Sequence, residues 1–452
     1  MNFYSTASLN NQYRILFGTA KLHLEKNKNQ KYIPRLFTKK KITLKFIIYF
    51  FINIIKLNFF FHEKFILLKY KDCNIGRHVL AATYRDAKSH KSLLFFYFNF
   101  LKNFYFAGRI IETAYLSVKD SDAIYIDHVG YLNGLYFKVF ALKKKIIYTF
   151  CYPRGFFYID YSKKENTKYN DLEKLIRLSP QRYNKIDPKK KNYIKRIIKN
   201  PKLVPWMKAT KFKNIKLPDL KKFNYIVYAH SFTDAQLWWG HDGFSSLYNW
   251  LDFTLDVLAR KKDFILVKPH PNFYSKLGVE IQIVDKMLYK KIQKKYKKFN
   301  NIIFLNHSFE NKKILNNIKK KTILISHHGT SLLEGAIRNF KCISSKATLW
   351  DSKFKITNNW SSKNEYFHLL NKKWTDLYFS NNKHLSSVEN LLMYNPYGYF
   401  GNKYFHSKLA KILGCTREYL HANPEVDFNN IKEKKYFYMI NTLTNCIEKV
   451  GK

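Results

Sequence analysis

The sequence predicts an α/β protein built from two Rossmann-like domains that face a cleft, with a helical tail at the C-terminus. Three observations support this fold class. At 452 residues, the chain is longer than one ordinary core accommodates. Its composition, 46% hydrophobic and 18% aromatic, is that of a packed protein rather than a disordered one. Short apolar runs alternate with segments of helical periodicity, which indicates parallel sheets covered by helices on both faces.

A lysine-rich and proline-rich stretch divides the chain. Residues 199–222 contain three prolines and little apolar periodicity, which is typical of a linker. We therefore predict an N-terminal Rossmann-like domain over 1–205 and a linker over 206–222. A C-terminal Rossmann-like domain then covers 223–385, and a helical tail over 386–452 packs back on the domains.

The alternation of strands and helices is regular in the C-terminal half. Apolar runs predict strands at 223–229, 264–268, 301–305, 322–326 and 341–345. Helical spacing of apolar residues predicts helices at 247–261, 281–298, 311–320 and 331–339. In the N-terminal half, residues 122–149 follow the same order of strand, loop, helix and strand. Ligands of open α/β sheets bind at the carboxyl ends of the strands, so we look for the site there.

The chain is strongly basic. It carries 81 Lys and Arg residues against 32 Asp and Glu residues, a formal net charge of +49. Such an excess favours polyanions, which include nucleic acid, anionic lipid and phosphorylated or acidic sugars. A compositional explanation competes with this one, because Lys, Asn, Ile, Phe and Tyr are abundant together, as in proteins encoded by AT-rich genomes. Both explanations stay open.

Cysteine spacing and the N-terminus bear on the compartment. The five cysteines lie far apart without a CxxC pair, so we expect neither a disulfide framework nor a zinc ribbon, and a reducing cytoplasm fits. No HExxH or paired-cysteine signature is present, and we predict no metal and no obligatory cofactor. The N-terminus lacks an apolar core followed by a cleavage site, so we expect no secretory signal.

The apolar stretch at 46–61, FIIYFFINIIKLNFFF, has two interpretations. Its uninterrupted apolar segments fall short of the ~20 residues that a spanning helix needs. It is either a buried core helix or strand, or a segment that lies in an anionic membrane interface behind the lysines of residues 39–45.

The run FILVKPHP ends a predicted strand with a lysine and a histidine between prolines. The prolines prevent a further strand or an immediate helix and fix a loop that would present Lys268 and His270 at the cleft. A lysine beside a positioned histidine can hold a phosphate and neutralise or protonate a leaving oxygen. The alternative is an ordinary strand end with a histidine as a polar tip.

The stretch SHHGTSLLEGA, residues 326–336, joins a predicted strand to a helix. Gly329 would let a ligand approach the backbone, Thr330 or Ser331 would cap the helix, and Glu334 completes the spacing of a capping box. Together with His328, the helix start would form a phosphate site. The alternative is a capping box without a ligand.

The stretch YAHSFTDAQLWWG, residues 228–240, follows the first predicted strand of the C-terminal half. His230 and Asp234 would stand at the same sheet edge as His270 and Thr330. The indoles of Trp238 and Trp239 would either form an aromatic wall for a base or a sugar, or belong to the core.

Taken together, HSFTDAQLWWG through YNWL, then VKPHPN, then SHHGTSLLEGAIRNFKCIS resemble bacterial capsular polysaccharide biosynthesis proteins. This group of two-domain GT-B glycosyltransferases includes Kdo transferases, and the resemblance covers residues 223–345. A KPHP motif with a later Ser/Thr-rich loop also occurs in CDP-glycerol glycerophosphotransferases and bacterial sialyltransferases. The resemblance therefore favours nucleotide-activated donors over any one sugar.

The resemblance implies roles for the motif residues. His270 would contact the donor phosphate and assist its departure, Thr330 and Ser331 would bind the same phosphate, and Glu334 would steady the loop or the donor ribose. Related inverting enzymes use a carboxylate base from the N-terminal half, for which this sequence has no clear counterpart. The candidate catalytic residues are therefore His270, Asp234 and Asp127. The candidate residues for the donor are Lys268, His270, His328, Gly329, Thr330, Ser331 and Glu334, and those for the acceptor side of the cleft are His128, His230 and Trp239.

The expected function is transfer of a sugar from a nucleotide donor, with CMP-linked donors among the candidates, to a surface or capsular polysaccharide. The expected partners are a nucleotide sugar, a lipid-linked or oligosaccharide acceptor and the anionic inner face of the inner membrane, but no specific nucleic acid. Glycerophosphate or polyol-phosphate transfer is the alternative on the same fold, and nucleic-acid binding is the alternative from another class. The sequence contains no GxGxxG and no Walker A motif, which argues against a dinucleotide oxidoreductase or a P-loop NTPase.

Overall fold

The structure is a computed structural model of the chain, and it describes a defined set of residues. These are 3–5, 34–36, 43–56, 62–120, 123–126, 130–151, 155–160, 217–234, 237, 240–274, 280–307, 309–346 and 356–380. The predicted helical tail and most of the predicted linker lie outside them. Asp127, His128, Trp238 and Trp239 lie outside them as well.

Within the described residues the chain is an α/β protein with two main sheets, as predicted. The first sheet has the order β2-β1-β5-β6-β7. Its neighbouring strands are parallel except for β6 and β7, which form an antiparallel pair. The strands of the N-terminal half, including a separate pair β3 and β4, are Phe3–Ser5 (β1), Pro34–Leu36 (β2), Lys69–Tyr70 (β3), Cys73–Asn74 (β4), Ala123–Ile126 (β5), Ile146–Cys151 (β6) and Gly155–Asp160 (β7).

Five α-helices of the described N-terminal residues form an aromatic core beside this sheet. They are Leu44–Lys56 (α1), His62–Ile66 (α2), Ile75–Arg85 (α3), Leu93–Ser117 (α4) and Gly134–Leu142 (α5). The side chains of Phe46, Phe104 and Phe140 are fully buried in this core. The order strand, loop, helix, strand predicted for 122–149 is confirmed by β5, α5 and β6. In the described part of the chain, no helix combines the length and the apolar character needed to cross a bilayer.

The second sheet has six parallel strands in the order β10-β9-β8-β11-β12-β13. This is the strand order 3-2-1-4-5-6 of the doubly wound nucleotide-binding fold, and the order reverses between β8 and β11. The strands are Tyr225–Tyr228 (β8), Ile265–Lys268 (β9), Ile302–Phe304 (β10), Ile323–Ser326 (β11), Lys341–Ser345 (β12) and Asn358–Trp360 (β13). The first five confirm the predicted strands.

Helices cover both faces of the second sheet. Ile226 and Leu324 belong to the core on one face, and Val227 and Ile325 belong to the core on the other, as the alternation of side chains along a strand requires. The helices are Leu247–Ala259 (α6), Glu280–Tyr296 (α7), Asn311–Leu315 (α8), Thr330–Ala336 (α9) and Lys363–Asn371 (α10). The first four confirm predicted helices, with α8 shorter than expected.

Candidate functional site

Three histidines meet at the carboxyl ends of three neighbouring strands. In the sheet Tyr228 pairs with Lys268 on one side and with Ser326 on the other, so the last residues of β8, β9 and β11 are in register. Two residues beyond these positions stand His230, His270 and His328. The ring of His230 lies 5.2 Å from that of His270 and 4.1 Å from that of His328, measured between centroids. The histidine cluster, His230, His270 and His328, therefore lies at the point where the strand order reverses, which is where open α/β sheets bind ligands.

All three imidazoles of the histidine cluster are held neutral. Burial lowers the pKa of His230 to about 4, against the effect of the Ser231 carbonyl and Asp234. Burial and the neighbouring His230 lower the pKa of His270 to about 3. Burial also holds the pKa of His328 well below its ordinary range. At neutral pH these rings can donate and accept hydrogen bonds, and an anion placed among them would raise their pKa values.

His327 links the cluster to a buried carboxylate. Its Nε2 lies 2.8 Å from Oδ2 of Asp242, and its Nδ1 lies 2.6 Å from Nδ1 of His328. The rings of Trp250 and Trp360 pack edge-on against His327, so its orientation is fixed. Burial opposes ionisation of Asp242, but the contacts with His327 lower its pKa. In this chain of contacts Asp242 orients His327, which in turn orients His328.

One buried ring nitrogen of the cluster has no hydrogen-bond partner among the described residues. Nε2 of His328 is buried, and within the described part of the chain no donor or acceptor pairs with it. Buried polar atoms are nearly always paired in folded proteins, so such an atom needs an explanation. A ligand that accepts or donates a hydrogen bond at this position would supply one.

Lys268 and Glu334 are both buried, and they interact electrostatically with each other. Lys268 is 5% exposed, with Nζ 5.7 Å from the ring centroid of Tyr228, and burial lowers its pKa to about 8. Burial raises the pKa of Glu334 to about 7, although the bond from Asn311 Nδ2 to its Oε2, 2.9 Å long, lowers it. The positive charge of Lys268 also contributes to the low pKa of His270. Lys268 therefore acts electrostatically on the cluster through His270.

Two expectations about these residues are wrong. The structure buries Lys268 instead of presenting it at the cleft. The predicted capping box also does not form, because the N-cap residue of α9 is Gly329, which has no side chain to cap the helix, and the Glu334 carboxylate bonds Asn311 instead. The reason is that Leu332, Leu333 and Ala336 of α9 pack into the core, and this turns Glu334 inward towards Asn311. Gly329 has φ of −141°, which any residue adopts, but a Cβ there would lie 3.1 Å from the hydroxyls of Ser326 and Ser331.

Asp285, on α7, fixes the loop that carries His230. Its carboxylate accepts hydrogen bonds from the Ser231 hydroxyl at 2.5 Å and from the backbone amides of Phe232 and Thr233 at 2.8 and 3.0 Å. The Thr233 hydroxyl donates a fourth bond at 3.1 Å. Burial raises the pKa of Asp285 to about 6, whereas these bonds lower it. Asp285 cannot be recognised as a site residue from the sequence, because its only signal there is an acidic position on a lysine-rich helix.

Asp234 joins this loop to the N-terminal half. Its Oδ1 accepts a hydrogen bond from the Tyr131 hydroxyl at 2.7 Å and lies 2.9 Å from Nη1 of Arg85. Burial opposes ionisation of Asp234, but Arg85 and then Tyr131 lower its pKa. Leu237 also packs against the N-terminal core. Asp234 therefore stands as a carboxylate between the histidine cluster and the other half of the molecule.

The structure brings together part of the predicted site. The ring of His230 contacts those of both His270 and His328, and both His230 and His270 interact electrostatically with Asp234. Ser331 is half-buried at the start of α9, while the side chain of Thr330 lies outside the described part of the chain. The predicted acceptor residues Asp127, His128 and Trp239 lie outside it too. Among the described residues, no group of three His, Cys, Asp or Glu side chains is arranged to hold a metal ion.

Comparisons with known proteins give only distant likenesses. No protein-family model matches the chain, and no curated protein sequence matches it. The UDP-GlcNAc 2-epimerase of Methanocaldococcus jannaschii, solved with UDP-GlcNAc and UDP, is 11% identical over 87% of this chain and 99% of that chain, with a TM-score of 0.26. The UDP-GlcNAc 2-epimerase of Neisseria meningitidis, bound to UDP-GlcNAc, is 11% identical over 91% of this chain and 99% of that chain, with a TM-score of 0.25. The N-terminal domain of Candida albicans trehalose-6-phosphate phosphatase is 11% identical over 99% of this chain and 96% of that chain, with a TM-score of 0.27. With TM-scores this low, the fold assignment rests on the strand order and not on these likenesses.

Proposed function

We propose that this protein is a glycosyltransferase that moves a sugar from a nucleotide-activated donor to an acceptor of a surface or capsular polysaccharide. The observation that carries the proposal is the convergence of three neutral imidazoles at the switch point of a doubly wound sheet. The motif resemblance over 223–345 gives the proposal its reaction class. The proposed acceptor is a lipid-linked molecule or an oligosaccharide. The proposed location is the inner face of the membrane.

The chemistry follows from the neutral histidine cluster. A donor phosphate that enters the cluster can accept a hydrogen bond from His270. His230 donates its Nδ1–H to the Ser231 carbonyl, so its Nε2 would donate to the phosphate only after the anion has raised its pKa and the ring has taken up a proton. As the bond from the anomeric carbon to the phosphate oxygen breaks, negative charge builds up on that oxygen. Donors that are already positioned stabilise such charge most effectively at a buried site. Because the bound anion raises the pKa of His270, the ring can take up a proton when the donor binds and then give that proton, or a hydrogen bond, to the leaving phosphate oxygen.

Asp234 is the carboxylate proposed to face the acceptor. It is ionised, it lies beside the cluster and it contacts the N-terminal half, from which we propose that the acceptor hydroxyl enters. In this role it would accept the proton of the attacking hydroxyl.

The test combines binding and turnover. The full chain is screened by thermal unfolding against CMP-, CDP- and UDP-linked sugars, including UDP-GlcNAc, because a ligand that binds the folded state raises its apparent stability. Nucleotide release from the stabilising donor is then measured with and without an oligosaccharide acceptor. We expect His270→Ala to lower turnover by about 10²–10⁴-fold, the range for a lost general acid. His368→Ala, at an exposed histidine of α10, is the matched control and should leave turnover unchanged.

Two results would reject the proposal. One is the absence of nucleotide release from every donor class. The other is tight, steeply salt-dependent binding of RNA or DNA that His270→Ala leaves intact, because phosphate contacts of that kind need no histidine cluster. If the protein transfers glycerophosphate from a CDP-linked donor, the assignment of the phosphate site stands and the transferred group is glycerophosphate instead of a sugar.

A further inference from the structure

Helix α1 presents an apolar stripe to solvent. Its outward positions recur at helical spacing, so they lie on one side of the helix. They are Leu44, Ile47, Ile48, Phe51, Ile52 and Ile55, exposed by 71%, 38%, 52%, 57%, 43% and 82%. A helix that is apolar all round is normally buried. This stripe therefore needs an apolar partner that the described residues do not supply.

Helix α4 extends the same surface. The ring of Phe46 occupies the space beside Gly108, where an added Cβ would lie 1.8 Å from the ring, and Phe50 lies 4.9 Å from Phe104 between ring centroids. The two helices therefore run antiparallel, and the C-terminal end of α1 points towards the N-terminal part of α4. There the side chains of Leu94 and Phe98 are 78% and 65% exposed.

The border of this surface is basic. Lys45 on α1 and Lys102 on α4 are exposed, and residues 39–41 just before α1 are all lysines. Between residues 38 and 71 the sole acidic residue in the sequence is Glu63, and between 87 and 119 it is Glu112. Glu112 is buried and pairs with Lys71 at 2.8 Å. The surface thus combines an apolar centre with a positively charged rim.

We propose that this α1/α4 surface, formed by the outward side chains of α1 and the exposed apolar side chains of Leu93–Phe98, lies in the interface of an anionic phospholipid bilayer. Acyl chains accept the apolar centre, and anionic headgroups attract the lysines, as for other amphipathic helices at membrane surfaces. With 13 residues α1 is too short to span a bilayer, so it would lie in the membrane plane. The proposal rests on the membrane location included in the proposed function and is independent of the sugar transfer itself, so its failure would leave the nucleotide-release test unaffected.

Two other occupants fit the charge less well. A second copy of the chain would bring another +49 charge and another lysine rim against this one. The C-terminal segment 381–452 carries ten Lys and Arg residues against six Asp and Glu residues, a net +4, and is also basic. An anionic bilayer satisfies both the apolar and the electrostatic character of the surface.

The test is vesicle flotation of the full chain. Vesicles of pure phosphatidylcholine are compared with vesicles containing about one third phosphatidylglycerol, at low and high salt. We expect binding to the anionic vesicles that weakens with salt. The triple variant Ile48→Gln, Phe51→Gln and Ile55→Gln should bind at least about tenfold more weakly, because three large apolar side chains no longer enter the interface. The double variant Ile283→Gln and Met287→Gln, at positions 64% and 48% exposed on α7, is the control and should bind as the wild type does.

Thermal unfolding and sedimentation separate the other outcomes. The triple variant should unfold at the wild-type temperature, because its three side chains are exposed. The proposal is overturned if the wild type does not bind anionic vesicles, or if the triple variant binds them with the same affinity as the wild type. A wild-type dimer that the triple variant dissociates would assign the surface to a second copy. Loss of thermal stability in the triple variant, combined with no vesicle binding by the wild type, would assign the surface to a segment of this chain. The single variant Ile55→Gln, at the most exposed of the six positions on α1, serves if the triple variant does not fold.

Discussion

The hydroxyl of Tyr131 donates a hydrogen bond to the carboxylate of Asp234 across the two halves of the molecule, at 2.7 Å. Tyr131 has φ of +51°, in the left-handed region that residues other than glycine rarely occupy. His78 holds its carbonyl oxygen at 2.6 Å, and the Arg85 guanidinium lies 5.7 Å from its ring centroid. Strained backbone of this kind persists where the surroundings enforce it, often at functional sites. The contact fixes Asp234 beside the histidine cluster.

The first prediction concerns this contact. A double-mutant cycle with Tyr131→Phe and Asp234→Asn should give a coupling free energy of about 1 kcal/mol in urea unfolding, because the bond is charge-assisted but partly exposed. Tyr131→Phe keeps the ring over Arg85 and removes only the hydroxyl. A coupling of zero would mean that the two halves are held together elsewhere.

The second prediction concerns Asp285 as a positioning residue. Asp285→Ala leaves the buried amides of Phe232 and Thr233 without their acceptor, and we expect a loss of about 3 kcal/mol in the free energy of unfolding. Asp285→Asn should lose less, because its amide oxygen still accepts from the backbone. If Asp285 positions His230, Asp285→Asn should also lower kcat while it leaves the KM for the donor nearly unchanged. The control Asp256→Ala, at an exposed carboxylate of α6, should change neither the free energy of unfolding nor kcat. If Asp285→Asn and Asp256→Ala lower kcat equally, Asp285 does not position His230.

The third prediction concerns the pH dependence of stability. The folded pKa of Glu334, about 7, exceeds its ordinary value of 4.5, so its contribution to stability is full below pH 4.5 and is lost as the pH rises through 7. Glu334→Gln keeps an acceptor for Asn311 but does not titrate. The difference in unfolding free energy between wild type and variant should therefore fall by up to about 3 kcal/mol between pH 4.5 and pH 7. A difference that stays constant over this range would show that Glu334 is ionised throughout.

The fourth prediction concerns protons and ligand binding. The pKa values of His230 and His270, about 4 and about 3, leave both rings neutral at pH 7, and a bound diphosphate should raise them. Binding of a nucleotide sugar, whose diphosphate diester does not titrate in this range, should take up protons and tighten as the pH falls from 8 to 6. Calorimetry in buffers of different ionisation enthalpy measures the uptake. The variant His270→Gln should reduce it, and wild-type binding without uptake at any pH in this range would place the phosphates away from these rings.

The alternation of apolar runs and helical spacing was sufficient to predict five of the six strands of the second sheet. Their near-continuous apolar character is typical of strands buried on both faces. The strand β13 was missed because Asn358–Trp360 is short and mostly polar. The histidines could be placed at one sheet edge because each follows a predicted strand. Their mutual contact needed the register of Tyr228 with Lys268 and Ser326, which no sequence pattern reveals.

Other parts of the site could not be predicted, because they depend on packing between distant segments. Arg85 and Tyr131 reach Asp234 from the N-terminal half, and Asp242 meets His327 across 85 positions of the chain. The capping box failed because the apolar side of α9 decided which way Glu334 faces. A local sequence motif competes with tertiary packing, and in α9 the burial of the apolar side chains determined the orientation of Glu334.

The central claim, that the histidine cluster holds the phosphate of the donor, is tested most directly by the structure of the protein with CMP or UDP bound. We predict phosphate oxygens within about 3.2 Å of ring nitrogens of at least two of His230, His270 and His328. A nucleotide bound with its phosphate out of reach of all three rings would contradict the claim.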